Sequence, residues 1–445
     1  MGSALLTDLY ELNMAASYLR RGMTGPATFS LFVRRLPPDW GFLVACGLRR
    51  CLEFLERLAF TDEDLEYLGR AHRYPDDTLE AFRSLRFTGD VWAIPEGRVM
   101  FPDEPLLEVT APLPEAQVVE TYLLNQVTYM TAVASKAARC RLAAPEADLV
   151  DFSFRRVHGA EASVGVAWAT AVAGFVATSN VEAARRLGLR ATGTMAHSYI
   201  EAFASETEAF RAFAEDFPDT VVLLVDTYDT TRGVEKAIEI GRKLEERGKA
   251  LVGIRLDSGD LAALAKEARV ALDEAGMEGV RILASGGLDE VAIAALTSAG
   301  APIDAYGVGT KVGVVSDSPS LDSVYKLVEF EGRPVAKLST GKATLPGRKQ
   351  VWRRAGNEDL IGLRDQEGPR DGQPLLEEVM RGGRPTGESG LAEARERFRR
   401  DLDALPQELR SLEAGEDGLP ERSGELARLA EEVRTDIADR ELGES

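Results

Sequence analysis

The chain has 445 residues, 44% hydrophobic and 28% charged, with a net charge of −20. That length exceeds what one hydrophobic core usually serves, so two or three domains are expected of an otherwise ordinary globular composition. The acidic balance disfavours nucleic acid as a partner; no apolar run approaches the roughly 20 residues of a membrane helix, and Met1 to Asp8 lacks the basic flank and apolar stretch of a secretion signal, which points to a cytoplasmic protein without membrane partners.

The first zone, residues 1–145, reads as an N-terminal α/β domain. Thr7-Asp8-Leu9-Tyr10-Glu11-Leu12 opens a helix with Thr7 or Asp8 as N-cap. Residues 28–33, 90–94 and 105–109 read as strands divided by Pro and Gly turns, and residues 120–144 as a long helix. The second zone, 146–315, changes character. Short apolar runs at 147–151, 174–177, 189–193, 221–226, 251–257, 280–285 and 303–309 are each followed by polar or glycine-rich residues and then a helical stretch, such as 261–275. Most of these repeats have the size of a βα unit. Continuous apolar strands imply a parallel sheet buried on both faces, and six or seven units suggest a closed or nearly closed β/α barrel. The third zone, 316–385, supplies strands at 325–330, 334–338 and 351–353 that return to pair with the N-terminal strands. The fourth, 386–445, reads as an acidic tail of surface helices whose charge runs are solvated faces.

Cys46, Cys51 and Cys140 form neither a disulfide framework nor a CxxC pair. His72, His158 and His197 are the only histidines, too few for a His-rich metal site.

The chemistry-bearing residues fall at the C-terminal ends of the barrel strands, the rim where such folds build active sites. Phe152, Arg155 and Arg156 follow the first run, and Thr178, Ser179 and Asn180 the second. His197 and Ser198 come next, then Asp226 with Asp229, and Arg255 with Asp257 and Asp260. Ser285-Gly286-Gly287 and Gly307-Val308-Gly309-Thr310 follow the last two runs, where glycines let backbone N–H groups close around a phosphate. Helix capping accounts for Asp229 and Asp260. Asp226 and Asp257 sit earlier, at the strand ends, where acids need Mg²⁺, a cation or sugar hydroxyls opposite them. A carboxylate on one ring nitrogen of His197 would fix its tautomer and leave the other free to attack.

Gly193-Thr194-Met195-Ala196-His197-Ser198, Leu224-Val225-Asp226-Thr227-Tyr228-Asp229, Arg255-Leu256-Asp257-Ser258-Gly259-Asp260 and Gly307-Val308-Gly309-Thr310, together with Leu6-Thr7-Asp8-Leu9-Tyr10, Leu321-Asp322-Ser323-Val324-Tyr325-Lys326-Leu327, Lys337-Leu338-Ser339 and Thr344-Leu345-Pro346-Gly347, resemble the nicotinate phosphoribosyltransferase family over residues 4 to about 355. The resemblance implies the type II phosphoribosyltransferase fold, an irregular β/α barrel with an N-terminal α/β domain that also takes in C-terminal strands. It implies a homodimer and the reaction of nicotinate with phosphoribosyl pyrophosphate, giving nicotinate mononucleotide and pyrophosphate, with ATP hydrolysed alongside and Mg²⁺ as cofactor. His197 matches the histidine such enzymes phosphorylate from ATP and Asp226 its orienting carboxylate. Asp257 matches the residue at the ribose and Mg²⁺, the metal held through pyrophosphate. Phe152 and Tyr10 match the aromatic pair around the pyridine ring, Tyr10 reaching in from the partner subunit, and Arg155 and Arg255 match arginines around ring and phosphates. Related nicotinamide enzymes carry Asp where this chain has Ser179; a serine donates to a carboxylate, whereas Asp would repel one. Quinolinate phosphoribosyltransferase, a nicotinamide-specific enzyme and a non-catalytic phosphate-binding barrel are the alternatives.

Overall fold

The structure is a computed structural model that describes residues 4–338, 344–387, 390–413 and 419–443. Ser339 of the family-like motif lies outside the described residues. The chain divides into two compact units, Met1–Ser135 with Ser320–Ser445, and Lys136–Pro319.

The first unit begins with α1 (Leu9–Arg20), preceded by Asp8 in extended conformation. β1 (Pro26–Val33), β2 (Asp90–Ala93) and β3 (Pro105–Pro112) follow. β1 is buried along all but its first residue, as the centre of a sheet requires. Between β1 and β2 run three helices, of which Asp62–His72 is closed by a capping box between Thr61 and Asp64. α2 (Glu120–Ala143) then leads out of this unit.

The second unit repeats a strand-then-helix pattern. β4 (Asp148–Asp151) precedes α3 (Ala160–Val172); β5 (Ala177–Thr178) precedes α4 (Val181–Leu187), α5 (His197–Glu201) and α6 (Glu206–Asp216). β6 (Val222–Leu224) precedes α7 (Thr230–Glu245), β7 (Gly253–Leu256) precedes α8 (Leu261–Glu274), β8 (Arg281–Ser285) precedes α9 (Glu290–Ser298), and β9 (Ala305–Val308) comes last. All six strands are parallel, in the order β5-β4-β9-β8-β7-β6. Sequence neighbours are spatial neighbours except β5 and β6, which form the two edges, and β9 returns to β4, with Tyr306 opposite Leu149. This is the winding of a β/α barrel.

The ring is irregular because one expected strand is lost. Of residues 189–193 only Ala191 bridges to Thr178, flanked by bonds from Thr178 N–H to the Arg190 carbonyl (3.0 Å) and from Thr192 N–H to the Thr178 carbonyl (3.0 Å). Gly188 enters this segment at φ +65°, the left-handed end of α4, and Gly193 follows it, so little chain is left to extend. Among the described residues no backbone ladder joins Ala191 to β6, and the barrel stays open at that seam. β5 is likewise shorter than its apolar run, because Gly174 at φ +88° makes a turn of the run's first residue.

Burial explains the strands. Leu223, Leu224, Ile254, Leu256 and Ile282 are wholly buried among apolar residues of the helices α6, α7 and α8. Four of the βα turns end in a capping side chain: Asn180, Asp229, Asp260 and Asp289 accept from the backbone N–H groups of Ala183, Arg232, Ala263 and Ala292 at 2.9–3.1 Å. Such caps contribute about 1 kcal/mol each.

The chain then returns to the first unit. β10 (Ser323–Phe330) pairs antiparallel with β1, which pairs on its other side with β3. β11 (Lys349–Arg353) and β12 (Asp359–Leu363) build a second, four-stranded sheet, and β13 (Glu377–Arg381) joins the first beside β2. The N-terminal α/β unit thus takes in C-terminal strands. The strand expected at 334–338 is only Arg333–Pro334, followed by one more backbone bond, from the Val335 N–H to the Val328 carbonyl at 2.9 Å.

The tail forms α10 (Leu391–Ala404) and α11 (Gly424–Ile437), but it is not all solvated face. Ala394, Phe398 and Asp401 of α10 are buried. Asp401 lies 3.1 Å from Arg98 and 3.0 Å from Arg353, and accepts from the Val99 N–H at 3.1 Å. A charge buried with that many donors is a fixed joint, and such pairing is what makes its burial tolerable.

Candidate functional site

The site residues of the second unit come from the ends of successive strands. At the end of β7, Arg255 and Asp257 flank the buried Leu256, and at the end of β8, Ser285 is buried beside them. The Ser285 hydroxyl donates to Asp257 Oδ1 at 2.5 Å and accepts from Arg255 Nε at 2.7 Å. Arg255 Nη2 donates to the same Asp257 oxygen at 2.7 Å. Burial works to raise the Asp257 carboxyl, but these bonds from Ser285 and Arg255 and the adjacent arginine charge hold it below its ordinary range. Asp257 is therefore an anchored carboxylate whose second oxygen faces outward, 3.9 Å from His197 Nε2.

Arg255 uses its remaining nitrogen across the seam. Its Nη1 donates to Thr194 Oγ1 at 3.1 Å and to the Met195 carbonyl at 3.4 Å, both in the unpaired segment before His197. Its guanidinium also stands over the Phe152 ring, 5.6 Å from the centroid. One residue thus ties the strand end, the seam and the aromatic wall.

His197 opens α5, half exposed, with Nδ1 3.1 Å from Thr227 Oγ1. Asp226, expected to orient this ring, makes no hydrogen bond to it. Its Oδ2 accepts instead from the Asp257 N–H at 3.1 Å and from the Ser258 hydroxyl at 2.5 Å, tying the ends of β6 and β7. Its Oδ1 is buried and has no partner among the described residues. A buried carboxylate oxygen left bare calls for a cation, a water or a hydroxyl from a ligand.

The first two strand ends form another joint. Asp151, wholly buried at the end of β4, accepts from the Ser153 N–H at 2.9 Å and the Thr178 hydroxyl at 2.7 Å. Burial raises its pKa against those bonds. The joint fixes the turn carrying Phe152 and holds Ser179, whose N–H donates to the Asp151 carbonyl at 2.8 Å. The half-buried Ser179 side chain makes no hydrogen bond among the described residues. Arg155 lies exposed on the turn Phe154–Arg156 with no ion pair among them.

The glycines divide by what their missing side chains allow. A Cβ on Gly307 would stand 2.5 Å from two Phe152 ring carbons and 3.3 Å from Ser285 Cβ, so this glycine makes room for the aromatic wall. A Cβ on Gly286, at φ +96°, would meet the Asp257 carbonyl at 2.0 Å; the glycine lets the β8 turn lie on the β7 end. Gly287, at φ +66°, borders open space, and exposed Thr310 follows Gly309 at the start of a short helix. Ser285, grouped by the sequence with the phosphate-binding glycines, has its hydroxyl taken by Arg255 and Asp257. Tyr10, on α1 of the other unit, leaves about half its surface open.

Thr194 and Thr227 lie inside the family-like stretches with no role assigned to them, and Asp151 closes an apolar run. Their one local signal is a hydrogen-bonding side chain immediately beside a strand end or a recognised motif. Lys311 is a fourth such residue: it reaches Asp289, the cap of α9, at 2.6 Å, beside the glycine turns. Among the described residues there is no group of three or more His, Cys, Asp or Glu placed to hold a metal, and no helix long and apolar enough to cross a membrane.

Comparison with known proteins agrees along the chain. Residues 5–128 match the nicotinate phosphoribosyltransferase (NAPRTase) N-terminal domain, and residues 147–357 the nicotinate phosphoribosyltransferase (NAPRTase) family. A nicotinate phosphoribosyltransferase of Mycobacterium tuberculosis is 47% identical over 437 residues, covering 96% of this chain and 94% of that protein. One from Bacillus subtilis is 45% identical over 378 residues, 82% of this chain and 77% of its own length. The crystal structure of human nicotinic acid phosphoribosyltransferase superposes with a TM-score of 0.85 at 29% identity, covering 96% of this chain and 99% of that one. The chain belongs to the nicotinate phosphoribosyltransferase family, a family of enzymes.

Proposed function

We propose that this protein joins nicotinate to the phosphoribosyl group of phosphoribosyl pyrophosphate, giving nicotinate mononucleotide and pyrophosphate, with ATP hydrolysed through a phosphohistidine at His197. The observation that carries the reading is the convergence of Asp257, Arg255, Ser285 and His197 on one rim, beside the Phe152 wall, in a chain of this family.

The ring nitrogen of nicotinate supplies the electron pair for the new bond to the anomeric carbon, and the bond from that carbon to pyrophosphate breaks, its electrons leaving with the oxygen. Positive charge grows on the sugar as this happens. Asp257, kept ionised by its neighbours, is the group to stabilise it. Phe152 offers a face for the pyridine ring, with Tyr10 from a partner subunit as the opposite wall in a homodimer. Arg255, Arg155 and the free hydroxyl of Ser179 are candidates for its carboxylate. Gly287, Gly309 and Thr310 remain the phosphate-binding group, together with the backbone of the β8 turn at Ser285 and Gly286. Asp257 and the bare Oδ1 of Asp226 would hold a magnesium ion, which would supply positive charge against that of the leaving pyrophosphate. In the ATP step a His197 nitrogen bonds the γ-phosphorus, the bond to the bridging oxygen breaks, and ADP departs; water later hydrolyses the phosphohistidine.

The test is product formation from nicotinate and phosphoribosyl pyrophosphate with Mg²⁺, with and without ATP, following ADP release. Product that rises with ATP and near-stoichiometric ADP is expected. Product only from nicotinamide or quinolinate overturns the substrate, and no product from any of the three overturns the enzyme.

A further inference from the structure

We propose that Thr227 is the positioning residue for His197: its hydroxyl sets the plane of the imidazole and aims Nε2 at the rim. The consequence for phosphorylation rests on the function proposed above; the positioning itself does not.

The argument starts from what holds the ring. His197 lies on a segment with no backbone ladder to β6, so the strand pairing does not fix where its side chain points. Its one hydrogen bond among the described residues is from Nδ1 to Thr227 Oγ1, 3.1 Å long. On the opposite side Nε2 stands 3.9 Å from Asp257 Oδ2, beyond hydrogen-bonding range. The neighbouring acid is committed elsewhere, since Asp226 Oδ2 binds the β7 end. The ring is thus pinned at one nitrogen and open at the other.

The choice of a hydroxyl matters chemically. A carboxylate on Nδ1 would favour the protonated ring and lock one tautomer. A threonine hydroxyl accepts from Nδ1–H when Nε2 carries the lone pair, and donates to Nδ1 when Nε2 carries the proton. It therefore holds the orientation through both tautomers without adding charge. A ring that must be nucleophile in one step and leaving group in another needs such a partner. The sequence places it one residue beyond Asp226, where the chain leaves β6 and turns into the cap of α7.

The chain's three histidines make the ring directly observable. Histidine-labelled protein is compared at one pH, by long-range proton–nitrogen NMR of the imidazoles, as wild type, Thr227→Val and Thr227→Ser, with His197→Ala to assign the signals. Thr227→Val is expected to shift the Nδ1 signal and tautomer balance of His197 while His72 and His158 stay in place, and Thr227→Ser to keep the wild-type pattern. In parallel, Thr227→Val is expected to slow phosphoryl transfer from γ-labelled ATP to His197 roughly five- to tenfold, the size of one lost hydrogen bond, with Thr227→Ser close to wild type. An unchanged His197 signal in Thr227→Val, or a serine variant as altered as the valine one, overturns the proposal. If the ring responds as expected but wild type takes no label from ATP, the positioning stands and the phosphohistidine reading falls.

Discussion

Replacing Gly307 by alanine separates two roles that its sequence motif confounds. A glycine in Gly307-Val308-Gly309-Thr310 reads as phosphate-binding, yet its missing side chain faces Phe152. The added Cβ would stand 2.5 Å from Cδ2 and Cε2 of that ring. Carbon atoms in ordinary contact are about 3.5–4.0 Å apart, so the ring edge must retreat by about 1 Å. Phe152 is only half buried and has space to move, which puts the stability loss near the low end of the roughly 1–3 kcal/mol typical of overpacking. The functional loss is larger. Arg255 stacks on the displaced ring and anchors Asp257, and a 1 Å error in a reacting pair costs up to about 100-fold. The expected result is a nicotinate kcat/KM lowered about 10- to 100-fold, with the KM for phosphoribosyl pyrophosphate changed much less and Tm down by a few degrees. Steady-state kinetics with each substrate varied in turn decides it. A raised KM for phosphoribosyl pyrophosphate with nicotinate untouched would refute the reasoning and return Gly307 to the phosphate site.

Three further substitutions follow from the same geometry. Ser285→Ala removes one of the two donors on Asp257 Oδ1 and the acceptor of Arg255 Nε; with charged partners worth about 1.5–3 kcal/mol, kcat/KM should fall roughly 10- to 100-fold, and a change under twofold in initial-rate assays counts against the network. Ser179→Asp sets a carboxylate where a free hydroxyl now stands, so nicotinate kcat/KM should fall about tenfold or more; unchanged nicotinate kinetics sinks the selectivity argument. In the first unit, burial and then the nearby Glu11 carboxylate push Glu120 from 4.5 up to about 7. The native state then holds a proton that the unfolded chain releases between those values, so this contribution is full below about pH 4.5 and lost as pH rises through 7. Glu120→Gln should therefore gain stability over wild type at pH 8 but not at pH 4.5, by roughly 1–2 kcal/mol once partial exposure is allowed for. Urea titrations at both pH values giving equal differences would exclude it.

The strands of the second unit were legible because buried parallel strands write continuous apolar runs. Leu223, Leu224, Ile254 and Leu256 needed no partner to be recognised. The seam was not legible, since residues 189–193 carry a strand's composition and lose the strand to the glycines on either side. For the site, residue type pointed to Arg255 and Asp257, which the structure places at the end of β7, and to His197, which it places at the start of α5, 3.9 Å from Asp257. Spacing could not say which hydroxyl turns towards which neighbour: Ser285 is spent on Arg255 and Asp257, and Thr227 takes the ring assigned to Asp226. Both outcomes depend on side-chain direction at the ends of adjacent strands, information that lies between strands rather than along one. The tail misread as solvated face has the same cause, because Asp401 is explained only by Arg98 and Arg353 from distant parts of the chain.

The open seam also accounts for where the polar residues collect. In a closed barrel, backbone N–H and C=O groups satisfy each other around the ring, and the rim needs no side chains to hold it shut. Here Arg255 reaches Thr194 and Met195 from one side of the gap, and His197 reaches Thr227 from the other. Side chains do the joining that a seventh strand would have done. The bond between His197 and Thr227 is a single, partly exposed one, and such a bond opens more readily than a ladder. In the function proposed above, the histidine that takes phosphate from ATP and passes it to water is carried on such a mount rather than on a strand. Asp257, proposed above to face the sugar, and its partner Ser285 are instead carried by the end of β7 and by β8. The irregularity of the barrel and the placement of its polar residues are then one feature: Arg255, Asp257 and Ser285 come from the ends of paired strands, and His197 follows the gap.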